Sequence, residues 1–116
     1  MDAIWHSRLF TLKIIIMEDI IDLEEFSKGN PEKGPEKGKK YMIKVDREKY
    51  KVETDSMTGQ GILELAGKNP YTKYQLNQKL RRGDVKKIEY AEVVDFTAPG
   101  IERFMTIPLD QTEGEQ

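Results

Sequence analysis

Tyr41-Met42-Ile43-Lys44-Val45-Asp46-Arg47-Glu48-Lys49-Tyr50-Lys51-Val52 is the stretch whose reading decides the fold. Tyr41, Ile43 and Val45 alternate with Met42 and Lys44, and Tyr50 and Val52 alternate with Lys51 and Glu53. A period of two marks strands with one buried face. Asp46-Arg47-Glu48-Lys49 is a polar turn between the two runs, so the stretch predicts a β-hairpin.

Working toward the C-terminus, Thr58-Gly59 reads as a helix start, with Ile62, Leu63 and Ala66 at helical spacing and Gly67 where a left-handed cap is expected. Asn69-Pro70 stops the helix, because proline biases its predecessor away from helical angles. Tyr74-Gln75-Leu76-Asn77 predicts a short strand, Arg82-Gly83-Asp84 a turn, and Lys87-Ile88-Glu89-Tyr90 a second short strand. Val93, Val94 and Phe96 add core material. The last element, from Glu102 to Leu109, has Phe104 on one side and Met105 with Ile107 on the other, as expected of a central strand covered on both faces.

A hairpin, one helix, two short strands and a two-faced final strand make an α+β, β-grasp layout, with the final strand inserted beside the first. Parallel pairing of the first and last strands needs a crossover, which the helix supplies. The predicted domain is residues 41–109, and about seventy residues suffice for such a core.

Toward the N-terminus, residues 27–40 are almost wholly Gly, Pro, Glu and Lys and repeat one tetrapeptide, Pro31-Glu32-Lys33-Gly34 and Pro35-Glu36-Lys37-Gly38. Composition of this kind buries too little to offset its ordering entropy, so a flexible linker is expected. Residues 1–26 then form an N-terminal extension, and residues 110–116 a C-terminal tail.

The chain of 116 residues has 19 basic and 21 acidic side chains and a net charge of -2, which gives no electrostatic reason to expect nucleic acid as a partner. Lys79, Arg81, Arg82, Lys86 and Lys87 cluster around Gly83 and read as a solvated basic turn. Without cysteine there is no disulfide, thiolate metal site or cysteine nucleophile, and the one histidine, His6, cannot build a triad or a multi-histidine site. No cofactor, metal site or catalytic residue is predicted, and the carboxylates Asp46, Asp84 and Asp95 fall in turns without partners. Ile4 to Ile16 is apolar but interrupted by Arg8 and Lys13, and shorter than the ~18 residues that cross a bilayer. A cytoplasmic protein without a membrane partner is expected.

The run from Tyr41 to Tyr50, Thr58-Gly59 through Ile62-Leu63-Glu64-Leu65-Ala66-Gly67, and Pro99-Gly100-Ile101-Glu102-Arg103-Phe104-Met105-Thr106 together resemble the bacterial multiubiquitin family. The resemblance implies a ubiquitin-like domain acting as a protein tag and not as an enzyme. It implies as partners a ubiquitin-activating-like enzyme, a ubiquitin-conjugating-like enzyme, a deconjugating peptidase and the target proteins, with defence against phage as the family-level role. Members often carry several copies of the domain, whereas this chain carries one.

Ubiquitin-like chemistry uses a C-terminal carboxylate on a mobile tail, and glycine suits that end because it threads a narrow active site. The tail Asp110-Gln111-Thr112-Glu113-Gly114-Glu115-Gln116 has one glycine and no terminal Gly-Gly. Two readings stand. A peptidase removes Glu115-Gln116 and exposes Gly114 for conjugation, or the tail is solvated polar chain. A sulfur carrier on the same fold would need glycine at the very end.

Ile20-Ile21-Asp22-Leu23-Glu24-Glu25-Phe26 resembles a SUMO-interaction motif, in which an aliphatic run flanked by acids adds as a strand to a ubiquitin-like sheet. Ile20, Ile21, Asp22, Leu23 and Phe26 are thus a candidate docking motif, for the same domain or a neighbouring copy, and this non-covalent self-association is the alternative to the modifier reading. Ile20, Leu23 and Phe26 also fit an amphipathic helix.

Overall fold

The computed structural model describes residues 20–109. Its strands are β1 (Ile20–Asp22), β2 (Lys40–Val45), β3 (Glu48–Val52), β4 (Ser56–Thr58), β5 (Tyr74–Leu80), β6 (Val85–Ile88), β7 (Val93–Asp95) and β8 (Ile101–Pro108). The helices are α1 (Leu23–Gly29) and α2 (Gly59–Leu65), and a single 3-10 turn covers Tyr71–Lys73.

The alternation from Tyr41 onward closes the hairpin as expected: β2 and β3 pair antiparallel from Tyr41↔Val52 to Val45↔Glu48. Tyr41, Ile43, Val45 and Val52 are buried. The turn is tighter than the four-residue reading, because Asp46 adopts φ 57°, which a short polar side chain tolerates. Its carboxylate accepts from the Thr106 backbone N–H at 2.8 Å and from Thr106 Oγ1 at 2.6 Å, tying the turn to β8.

Thr58 caps α2 through its Oγ1, which accepts from Gly61 N–H at 3.1 Å. At the other end Gly67 takes φ 77° and Lys68 N–H reaches Leu63 C=O at 2.9 Å, so the last carbonyls are satisfied. Ile62 and Leu63 are fully buried and face a core that contains Tyr41, Leu76, Phe96 and Phe104.

The last strand lies beside the Tyr41 strand, in parallel, with Val45 opposite Phe104. On its other side β8 pairs antiparallel with β5, and β5 with β6. The order β3-β2-β8-β5-β6 places β8 centrally. A sheet of this order with the helix α2 over its buried side chains makes a small mixed α/β domain, compatible with a ubiquitin-like fold. β4 and β7 form a separate two-stranded pair, Ser56↔Asp95 to Thr58↔Val93.

Three expectations change. β5 runs through Leu80, well past Asn77, because Gln78 and Lys79 keep their ladder with β8 even though no apolar alternation marks them. β8 is not covered on both faces along its length: Met105 is half-buried and Ile107 is 45% exposed. α1 packs on β8 near Glu102, where Arg81 bridges the two, and leaves Ile107 to solvent.

The third change concerns residues 27–40. A helix runs to Gly29, and the chain that follows is strapped to the domain. Pro35 is buried, the Glu36 carbonyl accepts from Tyr41 Oη at 2.6 Å, and Gly38 N–H donates to Asp55 at 2.9 Å. Composition counts side chains that cannot form a core, and these contacts are made mostly by backbone.

Candidate functional site

The sequence from Ile20 to Gly29 is a strand that runs directly into an N-capped helix, ten residues held on the domain by a connected set of polar contacts. β1 pairs in parallel with β2, Ile20↔Lys40, Ile21↔Tyr41 and Asp22↔Met42. Beside Tyr41, Ile21 packs against the core. Both β1 and β8 lie beside β2. β1 takes Lys40 to Met42 and β8 takes Val45.

Asp22 performs the switch from strand to helix. Its Oδ1 accepts from the backbone N–H of Glu24 at 3.1 Å and of Glu25 at 3.3 Å, satisfying donors that a helix start leaves free. Its Oδ2 accepts from Lys49 Nζ at 2.6 Å. Lys49 stands directly opposite Lys44 in the hairpin, an arrangement that like charge destabilises. Lys44 in turn lies 3.8 Å from the Glu24 carboxylate, so the arm supplies one anion to each of the facing lysines. The hydrogen bond that Lys49 donates to Asp22 holds the Lys49 ammonium above its ordinary range, against a smaller opposing effect of burial.

Leu23 and Ser27 lie four residues apart on one face of α1, and both are buried. Ser27 Oγ donates to the Glu24 carbonyl at 2.9 Å and accepts from Arg81 Nε at 3.1 Å. A second guanidinium nitrogen of Arg81 donates to the same Glu24 carbonyl at 2.9 Å. Behind Arg81 sits Glu102, 8% exposed, 3.9 Å from the guanidinium and 3.2 Å from Lys79 Nζ. Glu102 reaches them from a β-bulge: Leu80 opposes Ile101 and Lys79 opposes Arg103, which leaves Glu102 as the extra residue.

The sequence offered strand or helix for the aliphatic segment, and the chain uses both in succession. Ile20, Ile21 and Asp22 form the strand, while Leu23 and Phe26 lie on the helix, Leu23 buried and Phe26 half-buried. Gly114 and the rest of the tail, like His6 and the apolar run before Met17, lie outside the described residues.

The basic cluster divides. Arg82, Lys86 and Lys87 face Asp84, Glu92 and Glu89 at the surface, whereas Lys79 and Arg81 turn inward to Glu102. The Lys86 ammonium, followed by the Glu89 N–H, holds the Glu92 carboxyl below its ordinary range. Sequence reasoning missed Arg81, Ser27 and Glu102. The spacing of Ser27 after Leu23 was the one available signal, since a bulge leaves no mark on hydrophobic periodicity.

Among the described residues no group of three or more His, Cys, Asp or Glu side chains is placed to hold a metal ion, and no helix is long and apolar enough to cross a membrane. What the site can do is bind a strand edge to edge and hold a short helix by its carbonyl and hydroxyl groups.

A mixed domain with this strand order is compatible with a ubiquitin-like fold. The model of a family described as Multiubiquitin matches residues 41–108, more than half of the chain, and the chain belongs to that family. No curated protein and no solved structure matches it significantly.

Proposed function

We propose that the chain is a ubiquitin-like modifier built on a β-grasp domain and conjugated through Gly114. The multiubiquitin match over residues 41–108, together with the final strand β8 seated beside β2, supports the reading. A modifier needs a compact handle for its enzymes and a carboxylate beyond it. The handle here ends where Leu109 N–H donates to the Lys73 carbonyl at 2.9 Å, and Gly114 stands five residues further on.

Hydrolysis of the Gly114–Glu115 peptide bond by a peptidase frees the Gly114 carboxylate. An activating enzyme then joins it to the AMP of ATP with release of pyrophosphate. Attack by a thiol and finally by a target amine displaces AMP and then the thiol, leaving an amide. None of these steps requires a catalytic group on the tag, whose surface serves recognition.

The test is co-expression with activating-like and conjugating-like enzymes and a peptidase of the same system, with intact mass of the products. Adducts that lack Glu115 and Gln116 and vanish in Gly114→Pro are expected. Adducts ending at any other residue, or a chain that stays full length with all three enzymes active, would overturn the assignment of Gly114.

A further inference from the structure

We propose that the arm Ile20–Gly29 exchanges reciprocally between two copies of this chain, each arm filling the β2 edge and the Arg81 seat of the other. This goes beyond the modifier reading and does not depend on Gly114.

The first ground is where the contacts fall. β1 bonds to β2, Asp22 and Glu24 meet Lys49 and Lys44, and Ser27 and the Glu24 carbonyl meet Arg81. Every one of these partners lies at or beyond Lys40, so a second copy offers the same set unchanged. Exchange therefore keeps the arm's interactions and alters only the connection and the translational entropy.

The connection is the second ground. From Gly34 onward the strap is fixed, since a Cβ at Gly34 would stand 1.7 Å from the Thr97 carbonyl oxygen and Pro35 is buried. On the other side α1 ends at Gly29. Between these fixed points lie Asn30, Pro31, Glu32 and Lys33, all exposed and closed by a long Lys33 N–H to Asn30 C=O contact of 3.4 Å. A short hinge between two anchored parts is the arrangement in which an arm is exchanged between copies.

The third ground is the slot. β8 meets β2 only at Val45, so an arm that leaves uncovers the Lys40 to Met42 edge and takes from Arg81 its Ser27 and Glu24 acceptors. An open edge of this kind takes up another strand. A reciprocal pair leaves no slot empty, whereas a head-to-tail chain leaves one at its end.

The experiment uses the full chain with Glu32 and Lys33 deleted, so that the arm has two fewer residues with which to turn back to its own slot. Light scattering is expected to show a doubled mass, with slow amide exchange retained at Ile21 and Leu23. A monomer, whether its arm is protected or not, would overturn the proposal, and a ladder of larger species would overturn its reciprocal form. Should the shortened chain fail to fold, full-length Leu23→Asp and Arg81→Glu are mixed. Each alone is expected to be monomeric, and the mixture to give a heterodimer by native mass, joined by the one intact arm in the one intact seat. This pair reads transfer of an arm between copies, while the doubled mass of the shortened chain reads its reciprocity. No heterodimer would overturn the exchange. Both measurements run equally in a Gly114→Pro background, so their failure is separate from that of the conjugation reading.

Discussion

Pro31-Glu32-Lys33-Gly34 and Pro35-Glu36-Lys37-Gly38 are the same four residues in the same order, and the fold uses them in opposite ways. The first copy is exposed over three residues and ends on a glycine with no room beside it, its Cβ position 1.7 Å from the Thr97 carbonyl oxygen. The second begins on a buried proline and ends on a glycine with nothing within 4 Å, chosen instead for its φ of 74°. One glycine is required by space and the other by backbone conformation. A repeat in sequence is here not a repeat in structure, because each copy meets a different piece of the domain.

The sharpest way to break that comparison is to add one methyl group to each copy. Gly34→Ala drives a Cβ into backbone that cannot rotate away, and a loss of about 3 kcal/mol is expected, read as a shift in the urea midpoint. A loss as small as that at an ordinary surface position would mean that the strap does not press on Thr97. Tyr41→Phe comes next, since the buried hydroxyl donates to the Glu36 carbonyl at 2.6 Å and lies 2.9 Å from Asp55. Burial pushes the Tyr41 phenol up, so the group is neutral and its loss costs about 2 kcal/mol. Equal stability of wild type and Tyr41→Phe would show that the second copy is not held by this bond.

These contacts explain what the sequence could and could not disclose. The hairpin, α2 with its Gly67 cap, and the central place of β8 were legible because apolar spacing and turn residues report directly on which face is buried. The strap was not, because Glu36 and Gly38 act through backbone atoms that every residue but proline carries, and nothing in the repeat tells which backbone Gly34 will meet. Asp22 was legible as part of an aliphatic-acidic run, but its capping of α1 depends on the angle at which the chain leaves β1. Arg81 was hidden inside a basic cluster whose other members are solvated, and Glu102 is aimed by a bulge whose register only the paired strands define.

Gly38→Ala has a smaller expected cost than either change above, about 1 kcal/mol, because the site is open and only the left-handed backbone is strained. Gly38→Asn should recover part of it, since asparagine tolerates that region. If alanine and asparagine were equally costly, the Gly38 N–H to Asp55 bond and not the backbone angle would be what the position protects.

The finest distinction between the copies is electrostatic. Asp95 accepts from Thr97 Oγ1 at 2.6 Å and from the Thr97 N–H at 2.9 Å, so it fixes the carbonyl against which Gly34 sits. Those hydrogen bonds, side chain first, hold the Asp95 carboxyl below its ordinary value of 3.8, and the charge of Lys37 in the second copy adds to them. A group whose folded pKa is depressed contributes stability that is fully present above its unfolded pKa and is lost as pH falls through the folded value. The stability gap between wild type and Asp95→Asn should therefore be constant near neutrality and close on acidification below the ordinary carboxylate range. Lys37→Ala should narrow that acid-side closure slightly and Lys33→Ala not at all, because only the second lysine acts on Asp95. A gap that stays open to the lowest pH at which the chain folds would mean that the Thr97 turn is held by something other than this carboxylate.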